Sequence, residues 1–310
     1  MPTKFPQPLQ PNATIGVIAP SGSPDPENLE KGIHKIEAQG YRVRKAANLG
    51  TKTHFTAGTY QSRMEESLRL FLDENIDGII CARGGDGGIH LLPEFVNALQ
   101  DIQPVPFIGY SDITLFQLAL YKAYRWVTFS GPMVATELGA ASLTEQSEQH
   151  YWELLTSPPD QWKLTPRADH NVEVLRDGEA EGPLLGGCLA LVCTLLGTEH
   201  LPEMDRAVLI VEDIDEEPRH IDRMLHQLRL NGIFGRVSGL ILGQFQGCFP
   251  EDPADDFTLR ELVLHATRGY DFPILTNFPY GHATPDRLTI PIGAPIRLTT
   301  NPLNLKLKMK

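Results

Sequence analysis

Through the first half of the chain, short apolar runs alternate with helix-length stretches in which apolar and polar positions recur at helical spacing. Thr14 to Ala19 is an apolar run of strand length, closed by the turn Pro20-Ser21-Gly22-Ser23-Pro24 and followed by a helical stretch from about Glu27 to Gln39. Tyr41 to Val43 reads as a weaker strand, Tyr60 to Leu72 as an amphipathic helix, Asp77 to Ala82 as a strand and Gly88 to Leu99 as a helix. Val105 to Tyr110 is a further strand, leading through Ser111 into an amphipathic run from Ile113 to Tyr124. Strands alternating with helices of this length predict a parallel sheet covered by helices on both faces. Ligands on such sheets bind at the carboxyl ends of the strands.

The pattern breaks between Thr156 and Asp177, where Pro158, Pro159 and Pro166 stand among mixed polar residues. Beyond this seam Leu184 to Leu196 is almost continuously apolar, and Ala207 to Val211 reads as a buried strand. Arg219 to Leu230 is amphipathic, with Ile221, Met224, Leu225 and Leu228 at helical spacing. Gly239 to Gly243 and Pro273 to Phe278 are short strands, and Thr284 to Leu298 reads as paired strands around Pro291-Ile292-Gly293-Ala294-Pro295. The predicted fold class is α/β. An N-terminal parallel-sheet, Rossmann-like domain spans residues 1–165, and a smaller mixed α/β domain spans 178–310.

At 310 residues the chain exceeds the usual single core, in keeping with two domains. A net charge of −12 provides no basic block to offset phosphate charge, which argues against a nucleic-acid partner and an anionic membrane surface. No apolar run reaches the length of a bilayer span, and the first eight residues, with Pro2, Pro6 and Pro8, carry no signal-like apolar core. Cys81, Cys188, Cys193 and Cys248 form no Cys-x-x-Cys pair, and buried free thiols in a reducing cytoplasm are the expectation for such a set.

Four segments are candidates for chemistry. In Gly109-Tyr110-Ser111-Asp112, a serine at a strand-to-helix turn can present its hydroxyl at the sheet edge beside helix-start N–H groups, as nucleophiles of serine hydrolases do. The segment lacks the closing glycine of the usual hydrolase elbow, and Ser-Asp before an apolar run is equally an ordinary helix N-cap. Arg83-Gly84-Gly85-Asp86-Gly87-Gly88 follows a strand and can expose backbone donors to an oxyanion or phosphate, or can simply turn sharply. It is neither Gly-x-Gly-x-x-Gly nor a Walker loop. At Val211-Glu212-Asp213-Ile214-Asp215-Glu216-Glu217, a carboxylate leaving a strand can orient a histidine, whereas Asp215, Glu216 and Glu217 suit the start of the next helix. In Pro279-Tyr280-Gly281-His282-Ala283, His282 is either a surface histidine or a general base at neutral pH. His220 and His226 do not stand in His-Glu-x-x-His, so no zinc site is predicted from them.

Serine, carboxylate and histidine thus each fall in a loop that follows a strand. With these pieces in order, the chain resembles the serine LD-carboxypeptidases, the family of muramoyltetrapeptide carboxypeptidases and microcin C self-immunity proteins. The likeness runs through Ile15-Gly16-Val17-Ile18-Ala19-Pro20-Ser21, Arg83-Gly84-Gly85, Phe107-Ile108-Gly109-Tyr110-Ser111-Asp112-Ile113-Thr114 and Gly131-Pro132-Met133. It continues through Leu185-Gly186-Gly187, Leu196-Gly197-Thr198, Glu212-Asp213-Ile214, Ile221-Asp222-Arg223-Met224 and Gly281-His282. The resemblance implies Ser111 as nucleophile, His282 as general base and Glu212 as the triad acid, with the backbone N–H groups of Gly85 and Asp112 as the oxyanion hole. It implies release of terminal D-alanine from L,D-linked peptidoglycan tetrapeptides, a groove between two domains and a homodimer; the acyl-transfer chemistry of such a triad calls for no metal or organic cofactor, and the cysteine set points to a cytoplasmic location. The family loop usually reads Arg-Gly-Gly-Tyr-Gly, with Asp86 here at the fourth place, and usually has Asn where this chain has Cys188. Asp86 is therefore expected to alter substrate fit, and Arg83 is the candidate partner of the substrate's terminal carboxylate. The rival readings are an immunity-type peptidase acting on a peptidyl nucleotide and a non-hydrolytic nucleotide- or phosphate-binding protein.

Overall fold

The structure, a computed structural model, describes residues 1–250, 257–282 and 285–308. The chain divides into two compact units, Met1–Trp162 with Thr289–Gly293, and Lys163–Leu288 with Ala294–Lys310.

In the first unit, β1 (Thr14–Ile18), β2 (Arg42–Lys45), β3 (Gly78–Cys81), β4 (Phe107–Ile108) and β5 (Thr128–Ser130) run parallel. β1 and β3 are buried along their whole length, the condition of a strand covered on both faces, which is why they read as unbroken apolar runs. The helices between them start where capping chemistry allows. Asp25 accepts from the Asn28 N–H ahead of Pro26–Ala38, with Pro26 in the first turn, and Thr59 accepts from the Ser62 N–H ahead of Tyr60–Phe71. The predicted helix from Gly88 to Leu99 is a 3₁₀ turn, Gly88–His90, followed by the helix Leu92–Ala98. The run read as amphipathic before Tyr124 forms the helix Thr114–Tyr124, but every residue from Thr114 to Tyr121 is buried. It is a central helix whose few polar side chains are absorbed internally.

The second unit opens with β6 (Glu173–Arg176), β7 (Glu179–Cys188), β8 (Val208–Ile214), β9 (Gly239–Gln246) and β10 (Ile274–Thr276). The apolar stretch after the seam is thus two elements: β7, then the helix Leu189–Thr194. Three strands follow, β11 (Ile290–Ile292), β12 (Pro295–Thr300) and β13 (Leu303–Leu307). The expectation that Thr284 to Leu298 holds strands paired with each other is overturned. β11 pairs antiparallel with β5 in the first unit's sheet, while β12 pairs with β7 and β13 in the second. Thr284 lies outside the described residues. Both segments have the apolar pattern of sheet strands, and Gly293, in the left-handed conformation at φ +92°, turns the chain between them.

The first sheet has the order β11-β5-β4-β3-β1-β2 and the second β13-β12-β7-β8-β9-β10-β6, with β7 to β10 parallel and antiparallel strands on either side. In the first sheet the winding direction reverses between β1 and β3. Loops leaving the carboxyl ends of strands at such a reversal diverge and leave a crevice for ligand.

Candidate active site

Ser111 follows β4, one strand over from that reversal. Tyr110 before it is extended, and Ser111 has φ +62°, a left-handed conformation uncommon for a residue with a side chain. The chain then closes a 3₁₀ turn, Ser111–Ile113, that runs into the helix Thr114–Tyr124. This is the sharp strand-turn-helix that exposes a nucleophile. The N-cap alternative is not realised, because neither the turn nor the helix has a side-chain cap bond. The strand ends are braced from below by buried Gln117, whose amide donates to the carbonyls of Gly109 at 2.9 Å and Phe129 at 2.8 Å.

The glycine loop lies directly against the elbow. A Cβ on Gly84 would stand 2.8 Å from the Ser111 Cβ and 3.0 Å from its Oγ, and Gly85 has φ +107°. Both positions therefore exclude ordinary side chains. The Gly22 N–H donates to the Gly84 carbonyl at 2.9 Å, tying the loop after β1 to the loop after β3. Among the described residues, the backbone N–H groups of Gly85 and Asp112 donate to no other backbone carbonyl outside the regular elements. Asp112 itself is buried, and its carboxylate accepts from the Gly88 N–H at 2.7 Å. Burial pushes its carboxyl above the usual range, against the pull of that hydrogen bond.

Two further braces were not legible in the sequence. Arg63, 2% exposed on the inner face of Tyr60–Phe71, donates from Nη1 to the carbonyls of Pro20 at 2.5 Å and Gly87 at 2.9 Å, so one guanidinium spans both loops. An arginine at a core-facing position beside Met64, Ser67 and Leu70 is the signal that could have revealed it. Glu137, buried in the π-helical turn Val134–Leu138, accepts from the Tyr110 hydroxyl at 2.5 Å, the Met133 N–H at 2.9 Å and the Thr136 hydroxyl at 2.6 Å. It thereby fixes the residue preceding Ser111. Arg83 is half-buried, with Nη1 3.3 Å from the Ser23 carbonyl, and Asp86 is exposed.

In the second unit, Glu212 and Asp213 lie inside β8, where the register against β9 shifts between Val211 and Asp213. Their side chains part. Glu212, with no exposed surface, accepts at Oε2 from the His282 backbone N–H at 3.0 Å and from His282 Nδ1 at 2.7 Å. A carboxylate only accepts, so Nδ1 carries the proton in this bond. Burial disfavours charge on the His282 ring, but the hydrogen bond and charge of Glu212, with Asp213 nearby, outweigh it and raise its pKa above the ordinary histidine value.

Asp213 turns the other way. Its carboxylate accepts from the N–H groups of Ile214 and Ala190, both at 2.9 Å, and lies 3.5 Å from Cys188 Sγ. It therefore holds the turn between β7 and Leu189–Thr194, and burial pushes its pKa up to about 6. All four cysteines are free and buried.

An elbow serine beside a glycine loop, and a histidine held by a buried carboxylate, are groups of the kind that serine peptidases use. The chain belongs to the LD-carboxypeptidase family: residues 15–131 match its N-terminal domain and residues 181–298 its C-terminal domain. It is a serine-type peptidase of that family. It is 31% identical over 297 residues to a probable murein peptide carboxypeptidase of Bacillus subtilis, with 95% of this chain and 91% of that protein covered. A muramoyltetrapeptide carboxypeptidase from Oxalobacter formigenes has a similar crystal structure, with TM-score 0.82, 27% identity, and 96% and 99% of the two chains covered. The microcin C7 self-immunity protein MccF, as an inactive mutant in the apo state, shares the fold at TM-score 0.88 and 24% identity over 98% of each chain. No helix of the described residues is long and apolar enough to cross a membrane.

Proposed function

We propose that this protein releases terminal D-alanine from L,D-linked peptidoglycan tetrapeptides, using Ser111 as nucleophile, His282 as general base and Glu212 as the acid that orients it. The observation carrying the reading is the bond between buried Glu212 and His282. It commits Nδ1 and leaves Nε2 as the nitrogen that exchanges protons. His282 takes the Ser111 proton as Oγ attacks the scissile carbonyl, and the N–H groups of Gly85 and Asp112 receive the oxyanion. Collapse of the tetrahedral intermediate breaks the C–N bond, and D-alanine departs with the proton His282 returns to its nitrogen. Water, deprotonated by the same histidine, then hydrolyses the acyl-enzyme. Arg83 pairs with the terminal carboxylate and Asp86 faces the substrate near the scissile end, while the protein works in the cytoplasm as a homodimer. In this reading the first unit, Met1–Trp162 with Thr289–Gly293, carries the nucleophile, and the second, Lys163–Leu288 with Ala294–Lys310, carries its base and acid. The relatives named for murein and muramoyl peptides support this substrate class.

The test is mass-spectrometric detection of D-alanine released from a muropeptide tetrapeptide. Ser111→Ala is expected to fold normally and to lose on the order of 10⁴ to 10⁶ in kcat. Retention of a tenth of wild-type release would rule out the nucleophile. Faster turnover of a peptidyl nucleotide than of the tetrapeptide would favour the immunity-type reading instead.

A further inference from the structure

Away from these residues, three side chains of metal-ligand type meet within the second unit. Asp222 and His226 stand one turn apart on the helix Pro218–Leu230, and His265 lies in the last turn of Leu259–Ala266. One ligand atom from each lies within 4.8 Å of the other two, and the imidazole centroids of His226 and His265 are 5.2 Å apart. His226 Nδ1 is 3.2 Å from Asp222 Oδ1 and 3.0 Å from the Asp222 backbone carbonyl oxygen, a contact the ion would replace. A tetrahedral ion with bonds of about 2.0 to 2.1 Å holds its ligands roughly 3.3 Å apart, so this pair already has ligand spacing. His265 is exposed, with its ring beside that of His226.

The backbone beneath is fixed independently of any ion. Ile221, Leu225 and Leu228 are buried on one helix and Leu262, Val263 and Ala266 on the other. Arg229 donates from Nη1 to the carbonyls of Ala266 at 2.6 Å and Arg268 at 2.9 Å. Those carbonyls and the Tyr270 ring, 5.2 Å from its guanidinium carbon, engage Arg229. A net charge of −12 further favours a cation.

We propose that Asp222, His226 and His265 bind a borderline divalent transition-metal ion, of which Zn²⁺ is the type, and that the ion cross-links these two helices. Two imidazoles and one carboxylate suit such ions better than Mg²⁺ or Ca²⁺, which prefer oxygen. Three protein ligands leave the fourth position to water. The sequence hides the site because its ligands come from two helices and not from one short motif.

Calorimetric titration of the intact protein with Zn²⁺, alongside thermal unfolding with and without the ion, tests it. Expected are one ion per chain, a raised Tm, and no comparable response to Mg²⁺. Separate His226→Ala and His265→Ala variants should each weaken binding by at least about tenfold. His265→Ala should unfold at the wild-type temperature without metal, because its side chain is exposed. His282→Ala should bind Zn²⁺ as the wild type does, since its histidine belongs to the catalytic proposal. Absence of stoichiometric binding, binding unaffected by the His226 and His265 changes, or binding lost on His282→Ala would each overturn the site.

Discussion

Two adjacent acids in β8 have opposite fates, and the difference comes down to where each carboxylate finds donors. Glu212 reaches His282, while Asp213 satisfies the N–H groups of Ile214 and Ala190. Glu212→Gln is therefore expected to keep the fold and lose on the order of 10³ to 10⁴ in kcat, since the amide neither orients the imidazole properly nor balances its charge. Asp213→Asn should cost far less. Parallel kinetics on the two variants decide it, and a dead Asp213→Asn beside an active Glu212→Gln would reverse the assignment. The same pair sets the pH dependence. In the proposed mechanism a charged ring could not accept the Ser111 proton, and Glu212 raises the His282 pKa. kcat/KM should therefore climb with pH through a midpoint above the ordinary value of about 6.5. In the residual activity of Glu212→Gln that midpoint should move down. A wild-type midpoint below the ordinary value, measured in a pH–rate profile, would contradict the pairing.

At the scale of elements, the elbow and the glycine loop behave as one piece. Gly84→Ala forces a Cβ to within 2.8 Å of the Ser111 Cβ and 3.2 Å of the Tyr110 carbonyl oxygen, neither at the end of a flexible chain. The expected outcome is a stability loss of about 1 to 3 kcal/mol and a fall in kcat of roughly 100-fold, because the nucleophile is displaced. Chemical denaturation and D-alanine release would measure the two, and a variant with wild-type kcat would show that the loop does not hold the serine. The positions of β1, β3 and the helices near them were legible because continuous apolar runs and capping residues mark them directly. β5 and β6 were not: each is a short strand whose place depends on a neighbour remote in sequence, whereas β13 was missed although it pairs with the adjacent β12. The serine turn and the histidine were legible from their position after strands and from family motifs. Arg63 and Glu137 were not: the core-facing position of Arg63 is a sequence signal, but what either charge braces is read only when the carbonyls and donors it serves are in view.

On the scale of the whole molecule, the first unit borrows its outer strand from the far end of the chain. β11 covers the edge of β5, pairing Ile290 with Ser130 and Ile292 with Thr128. A fragment of residues 1–162 would keep β5 paired with β4 but leave its outer edge open, with buried Phe129 in that strand, and open strand edges recruit other chains. Such a fragment is expected to associate on size-exclusion chromatography and to unfold at lower temperature than the intact protein. A monomeric fragment with the intact Tm would show that β11 is dispensable. The same threading sets a timetable during synthesis. At ~5–20 residues per second, the ribosome delivers β11 on the order of ten seconds after β5. The sheet that carries Ser111 must wait through translation of nearly the entire second unit with its border open, so a nascent chain stalled before Thr289 would hold an unfinished sheet and a surface for chaperones.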